Sequence, residues 1–240
     1  MDWSATELFL AFVTMTVASA VQGSVGFGLN LICAPILALI DPDFVPGPAL
    51  AAGLVQTIIM ATRERASIAF KDIGWAVIGR VVGTSCAIAI LAVASRSEAN
   101  ITFGSLVLLG VGLSLVGLRL KPVPGVLIAA GWLAGLMNTI SSIGGPPIAL
   151  VYQHVRGATL RGTLAGHFSI GASISLVALI VSGHYVWSDV LASAVLVPGV
   201  LLGFLGARPL TRIIDSRSAR PAILTLAGLA GTAVILRELF

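Results

Sequence analysis

Long apolar segments, separated by short polar loops, run through the whole chain and constrain its fold most strongly. Only 10% of its 240 residues are charged, and its mean hydropathy is +1.04. A soluble domain carries about 25% charged residues, so lipid has to cover most of this surface. Because lipid offers the backbone no hydrogen-bond partner, the segments are predicted to be helices. The predicted fold class is an all-α polytopic membrane protein.

Two of these segments are too short to cross a bilayer. Segments 29–40 and 148–155 fall well short of a hydrocarbon core of roughly 30 Å, and each follows a glycine-rich stretch. We expect them to be the second arms of broken or re-entrant hairpins. The apolar segments occupy 8–21, 29–40, 49–62, 73–94, 101–118, 126–140, 148–155, 163–181, 190–207 and 222–236.

The two halves of the chain share a series of features at nearly constant spacing. Gly23–Gly28 corresponds to 141–147, Gly79 and Gly83 to Gly199 and Gly203, and Asp72 to Asp189. A further match joins 97–99 to 218–220. Four matches in the same order indicate an internal duplication.

The distribution of basic residues decides between parallel and inverted repeats. If each half crosses the membrane four times, six basic residues lie on one side and seven on the other. If the chain also reverses at each glycine-rich break, eleven lie on one side and Arg96 and Arg237 on the other. The eleven are Arg63, Arg65, Lys71, Arg119, Lys121, Arg156, Arg161, Arg208, Arg212, Arg217 and Arg220. This bias favours inverted repeats, with cytoplasmic loops at 63–72, 119–125, 156–162 and 208–221 and with both termini outside the cytoplasm.

Each predicted repeat is a re-entrant helical hairpin followed by three spanning helices. The first repeat is 1–121, with its hairpin at 5–40 and spans at 48–62, 73–94 and 100–118. The second repeat is 122–240, with its hairpin at 125–155 and spans at 162–181, 189–207 and 221–237. Hairpins that enter from opposite sides are expected to bring their tips together inside the protein.

These motifs resemble the sulfite exporter family TauE/SafE. The resemblance rests on one glycine-rich turn per half, on Gly144–Pro147 and on the Pro198–Gly203 motif. It covers nearly the whole chain, although Gly26–Asn30 departs from the consecutive glycines common in the family's first turn. It implies a carrier of sulfur-containing anions, such as sulfite or organosulfonates, in the bacterial inner membrane.

The two breaks are the predicted substrate site. The start of a broken helix's second arm presents free N–H groups and the positive end of the helix dipole, which suit an anion. Amides of 26–28 and 143–145 are the candidate donors, and glycine allows the ligand a close approach. The competing interpretation is a pair of tight turns whose polar residues satisfy their own backbone. The candidates at the breaks are Gln22, Ser24, Gly26, Phe27, Gly28, Asn30, Asn138, Thr139, Ser141, Ser142, Gly144 and Gly145.

Three polar residues within apolar segments are further candidates. Arg80 either contributes to the site, as an intramembrane charge commonly does, or extends to the interface. His167 and Gln56 occupy similar places in the two halves, and His167 is the only group at depth that titrates near neutral pH. No Asp or Glu lies deep in a span, which argues against proton coupling through a buried carboxylate.

Transport of a small anion by alternating access is the function that the sequence favours. The alternatives are an intramembrane hydrolase that pairs Ser24 or Ser142 with His167, a small-anion channel, and a structural or receptor subunit. No metal-ligand spacing surrounds Cys33 or Cys86, and no cofactor or nucleic-acid partner is expected. The substrate, a coupling proton or sodium ion, and the oligomeric state stay open. The expected location is the bacterial inner membrane.

Overall fold

In a computed structural model, residues 3–116, 120–155, 157–210 and 216–239 are described. Parts of the predicted loops at 119–125, 156–162 and 208–221 lie outside these ranges. The helices are α1 Ala5–Val25, α2 Leu29–Ile40, α3 Gly47–Arg63, α4 Phe70–Val93, α5 Arg96–Leu115, α6 Pro124–Ser141, α7 Gly145–Tyr152, α8 Gly157–Val181, α9 Trp187–Leu210 and α10 Ser216–Leu239.

The predicted all-α membrane fold is confirmed. Within the described residues, seven helices are long and apolar enough to cross a membrane. By contrast, α2 has 12 residues and α7 has 8, or about 18 and 12 Å of helix. The short second arms of both hairpins are therefore present, and each follows an interruption of the preceding long helix.

The hairpin of α1 and α2 begins and ends at the same end of the helical bundle. Trp3 donates its indole N–H to Asp41 at 2.8 Å, and Arg96 pairs with Asp43 at 2.9 Å. At the start of α5, Asn100 hydrogen-bonds Glu238 at 2.9 Å. We call this the Trp3 end.

The opposite end holds the outer ends of α6 and α7. The Tyr152 hydroxyl donates to Asp72 at 2.9 Å, and the Ala69 amide donates to Thr163 at 3.1 Å. Arg161 lies 3.3 Å from Glu64. We call this the Arg161 end, and the two hairpins thus enter the bundle from opposite ends.

Glycines allow two pairs of helices to pack backbone against backbone. A Cβ atom at Gly79 or Gly83 of α4 would collide with carbonyl groups of α6. A Cβ atom at Gly199 or Gly203 of α9 would meet carbonyl groups of α1 in the same way. The matched glycine pairs therefore act in helix packing, as small residues four apart do in membranes.

Several helices extend beyond the apolar segments that predicted them. At α5, Ser95 and Glu98 form a capping box, so the helix begins at Arg96 and not at the predicted residue 100. A capping box satisfies free N–H groups with polar side chains, and hydrophobicity alone does not detect such a polar first turn. Helix α4 likewise begins at Phe70, three residues before the apolar segment.

Candidate functional site

The two breaks have the same backbone design. Helix α1 ends at Gly26 and α6 ends at Ser142, and both residues are left-handed, with φ of 99° and 56°. Each donates its N–H to the carbonyl four residues earlier, Gln22 at 2.7 Å and Asn138 at 2.9 Å. The second arms then begin after Gly28 and Gly144. When the two halves are aligned on this geometry, Gly26 corresponds to Ser142, and Gln22 therefore corresponds to Asn138.

The tips of the two hairpins meet. Asn30, in the first turn of α2, donates its side-chain N–H to the carbonyl oxygen of Ser142 at 2.8 Å. The Asn30 side chain also lies against Gly53 of α3, where an added Cβ would be 3.3 Å from its Oδ1 atom.

A cavity of about 50 Å³ lies between the tips and the middle of α3, α4 and α8. On this scale one water needs roughly 10–15 Å³. Nine of the fifteen predicted site residues line it: Gln22, Phe27, Gly28, Asn30, Arg80, Asn138, Ser142, Gly144 and Gly145. The other six, which do not line it, are Ser24, Gly26, Gln56, Thr139, Ser141 and His167.

Arg80 supplies the positive charge of this cavity. Its side chain is only 2% exposed, so the alternative in which it extends to the interface is wrong for this structure. The guanidinium lies against Gly171 of α8, where any Cβ atom would overlap it. Among the described residues, Nη2 has no hydrogen-bond partner and no carboxylate forms an ion pair with Arg80.

Backbone amides at both breaks are available as donors. Within the described part of the chain, the N–H groups of Phe27, Gly28 and Gly144 make no hydrogen bond. Gly145 opens α7, where the first N–H groups lack acceptors within the helix. The amides of Gly26 and Ile143 are engaged, by Gln22 and by the Ser141 hydroxyl at 3.4 Å.

The hydroxyl groups follow the competing interpretation and satisfy the backbone. Ser24 donates to the Ala20 carbonyl at 2.8 Å, and Ser142 donates to the Ser141 carbonyl at 2.6 Å. Ser141 and Thr139 donate to carbonyls four residues earlier, at 2.7 and 2.9 Å. A hydroxyl has one proton to donate, so these four groups are not free donors.

The side-chain amides of Gln22 and Asn138 differ in whether their NH₂ group can donate to a ligand. Gln22 accepts the Leu29 N–H through Oε1 at 3.0 Å, while its NH₂ group makes no hydrogen bond to a described residue. Asn138 donates to Ser175 at 3.1 Å. Gln22 is therefore a possible donor to a ligand, whereas Asn138 is held by α8.

His167 and Gln56 are buried but do not line the cavity. The His167 ring lies 5.7 Å from that of Tyr152, and its Nε2 atom has no partner among the described residues. Gln56 donates to the Ser19 carbonyl at 2.9 Å. The serine–histidine pair of the hydrolase alternative is not formed within the described chain, because the hydroxyls of Ser24 and Ser142 bond to carbonyls.

Sequence reasoning predicted a contribution of α3 and α8 through Gln56 and His167, but other residues of these helices line the cavity. Leu50, Gly53 and Thr57 line it from α3, and Phe168 and Ala172 line it from α8. An isolated glycine within an apolar helix often has a packing or functional reason, so Gly53 and Gly171 carried a usable signal. The apolar residues of α3 and α8 that line the cavity gave no such signal in the sequence.

A model of the family described as Sulfite exporter TauE/SafE matches residues 11–234. The chain belongs to the sulfite exporter TauE/SafE family. The match includes both breaks and every predicted site residue, and it confirms the resemblance seen in the motifs. As a TauE/SafE member with seven candidate spans among its described residues, the protein is a multi-pass membrane transporter of the sulfite or anion exporter type. Among curated proteins and among solved structures, none matches the chain.

Proposed function

We propose that this TauE/SafE protein carries a small sulfur-containing anion, such as sulfite or an organosulfonate, in the cavity between the two hairpin tips. The observation that carries the proposal is Arg80, a buried arginine that lines that cavity and whose Nη2 atom has no hydrogen-bond partner among the described residues. Burying a charge without a partner costs several kcal/mol. A bound anion would supply the missing charge.

Backbone donors at both tips complement the arginine. The amides of Phe27 and Gly28 belong to one break and those of Gly144 and Gly145 to the other, and none of the four donates to an acceptor in the part of the chain that the structure describes. An oxyanion accepts hydrogen bonds from several directions, and the start of a half-helix favours negative charge. One ligand could therefore contact both halves of the chain.

The size of the cavity favours a compact anion in this conformation. With about 50 Å³, it has room for roughly four water-sized centres, about as many as sulfite has non-hydrogen atoms. A larger organosulfonate would need the cavity to widen.

We further propose that the halves are inverted repeats that expose this cavity alternately to the two sides of the membrane. Two observations support this arrangement: the hairpins enter the bundle from opposite ends, and both first arms end at a left-handed residue. The excess of basic residues in loops of the Arg161 end favours the cytoplasm for that end. The protein would then lie in the bacterial inner membrane with both termini periplasmic.

Counterflow in proteoliposomes tests the transport proposal. Vesicles preloaded with unlabelled sulfite should accumulate labelled sulfite transiently, and a panel with thiosulfate, taurine and acetate ranks substrates. A channel would equilibrate label without this overshoot. Arg80→Gln should abolish the overshoot while Arg96→Gln, at an exposed ion pair far from the cavity, should retain it. Equal counterflow in both variants would refute the role of Arg80.

A further inference from the structure

A second cavity, of about 570 Å³, opens between α3 and α9 at the Arg161 end. None of its lining residues also lines the cavity between the tips. It is therefore a separate site, and the proposed substrate does not account for it.

One wall of this second cavity is apolar and continues onto the surface that faces lipid. Ile59, Phe204 and Leu205 line it, and Leu205 is 71% exposed. Neighbouring Ile58 and Leu202 are also exposed. In a membrane protein, acyl chains cover such a surface, so the cavity is open to the hydrocarbon of the bilayer.

The other wall is polar and carries a net positive charge. It contains Arg63, Arg161 and Glu64, of which Arg161 and Glu64 form an ion pair at 3.3 Å. Arg63 is exposed, and among the described residues it makes no ion pair or hydrogen bond. With Arg161 and Glu64 neutralising each other, the charge of Arg63 is left uncompensated.

We propose that this cavity binds an anionic phospholipid, with its phosphate at Arg63 and an acyl chain along Phe204 and Leu205. The single negative charge of a phosphatidylglycerol headgroup complements the uncompensated arginine. Basic pockets between transmembrane helices at a membrane surface bind anionic headgroups in this way. Phosphatidylcholine has no net charge to offer.

The lipid would lie directly beside the first break. Gly23 and Ser24, in the last turns of α1, line the same cavity. The aliphatic part of Arg161 lies under Gly26, where an added Cβ would be 3.2 Å from Cγ. A bound lipid therefore supports the segment that leads into the hairpin tip.

Thermal unfolding of the purified protein in detergent tests the proposal, because a ligand that binds only the folded state raises its melting temperature. Phosphatidylglycerol should raise the melting temperature more than phosphatidylcholine with the same acyl chains. Arg63→Gln should lose most of this difference, and Arg96→Gln, a matched exposed arginine at the Trp3 end, should keep it. Native mass spectrometry should show retained phosphatidylglycerol on the wild type and less on Arg63→Gln.

Three results would overturn the proposal. One is an equal effect of the two lipids, and another is an unchanged difference in Arg63→Gln. The third is an equal effect of soluble glycerol phosphate, which would identify a site for a free anion and not for a lipid. None of these results depends on sulfite binding, because Arg80 lies in the other cavity.

Discussion

The side-chain amide of Asn30 and the carbonyl oxygen of Ser142 lie 2.8 Å apart, across 112 residues of sequence. This hydrogen bond joins the second arm of one hairpin to the break of the other. It fixes the relative position of the tips, and with it the shape of the cavity they enclose.

Asn30→Ala should loosen the contact between the tips. A partly buried hydrogen bond of this kind contributes about 0.5–1.5 kcal/mol, so we expect a modest loss of thermal stability together with weaker anion binding. Asn100→Ala removes a similar bond, 2.9 Å long, to Glu238 at the Trp3 end, and should change stability but not affinity. Isothermal titration with sulfite, paired with melting curves, distinguishes the two variants. Normal affinity in Asn30→Ala would contradict a role for this bond in shaping the site.

Gly171→Ala should displace the Arg80 guanidinium, because its Cβ atom would occupy the place of that group. We expect anion affinity to fall by about ten- to a hundred-fold, the equivalent of one charged hydrogen bond of 1.5–3 kcal/mol. The control is Gly112→Ala, since the space at Gly112 is open. If sulfite binds Gly171→Ala with wild-type affinity, anion binding does not depend on the position of the Arg80 guanidinium.

A bulky side chain at Gly145 should fill the cavity without preventing folding. A Cβ atom there makes an ordinary contact, 3.5 Å from Phe168, so Gly145→Leu should fold and lose most of its sulfite binding. Gly125 occupies the first turn of α6 and has open space around it. Gly125→Leu should therefore bind normally. Both variants should first be shown to be monodisperse by size-exclusion chromatography. Equal sulfite binding by the two variants would show that the anion does not bind at Gly145.

Gly203→Ala should destabilise the protein, because a Cβ atom would collide with the Thr16 carbonyl of α1. Overpacking of this kind costs about 1–3 kcal/mol. Three residues later in the same helix, Gly206 has nothing within 4 Å, so Gly206→Ala should be neutral or slightly stabilising. Folded yield and melting temperature measure both effects. Similar melting temperatures would show that α1 and α9 can separate at low cost.

The sidedness of the two ends can be measured with single cysteines in a background without Cys33 and Cys86. A cysteine in place of Ser67 should react only with permeant reagents in intact cells, and one in place of Ser4, near the N-terminus, should react with impermeant reagents. The basic loops at the Arg161 end require this orientation if they face the cytoplasm. Labelling of both positions from one side would contradict the proposed inverted repeats.

The sequence was sufficient to predict the hairpin breaks and their short second arms, because each depends on local composition or spacing, whereas it left open whether Arg80 is buried or extends to the interface. It did not predict which polar groups stay free. Ser24 faces the carbonyl of Ala207, 183 residues away, as well as that of Ala20. The partner of a hydroxyl depends on the rotation of its helix and on the neighbouring helix, and the sequence specifies neither directly. For the same reason Gly171, whose role comes from a side chain on α4, was overlooked.

The glycine crossings between α1 and α9, and between α4 and α6, restrict how this protein can move. Where a carbonyl group rests on a glycine Cα atom, no side chain lies between the helices that could change rotamer and let them slide. Each crossing therefore prevents its two helices from sliding past each other, and each pair of helices moves as one rigid body. Any large rearrangement has to take place along surfaces lined by side chains, of which the interface between α3 and α8 passes beside the cavity.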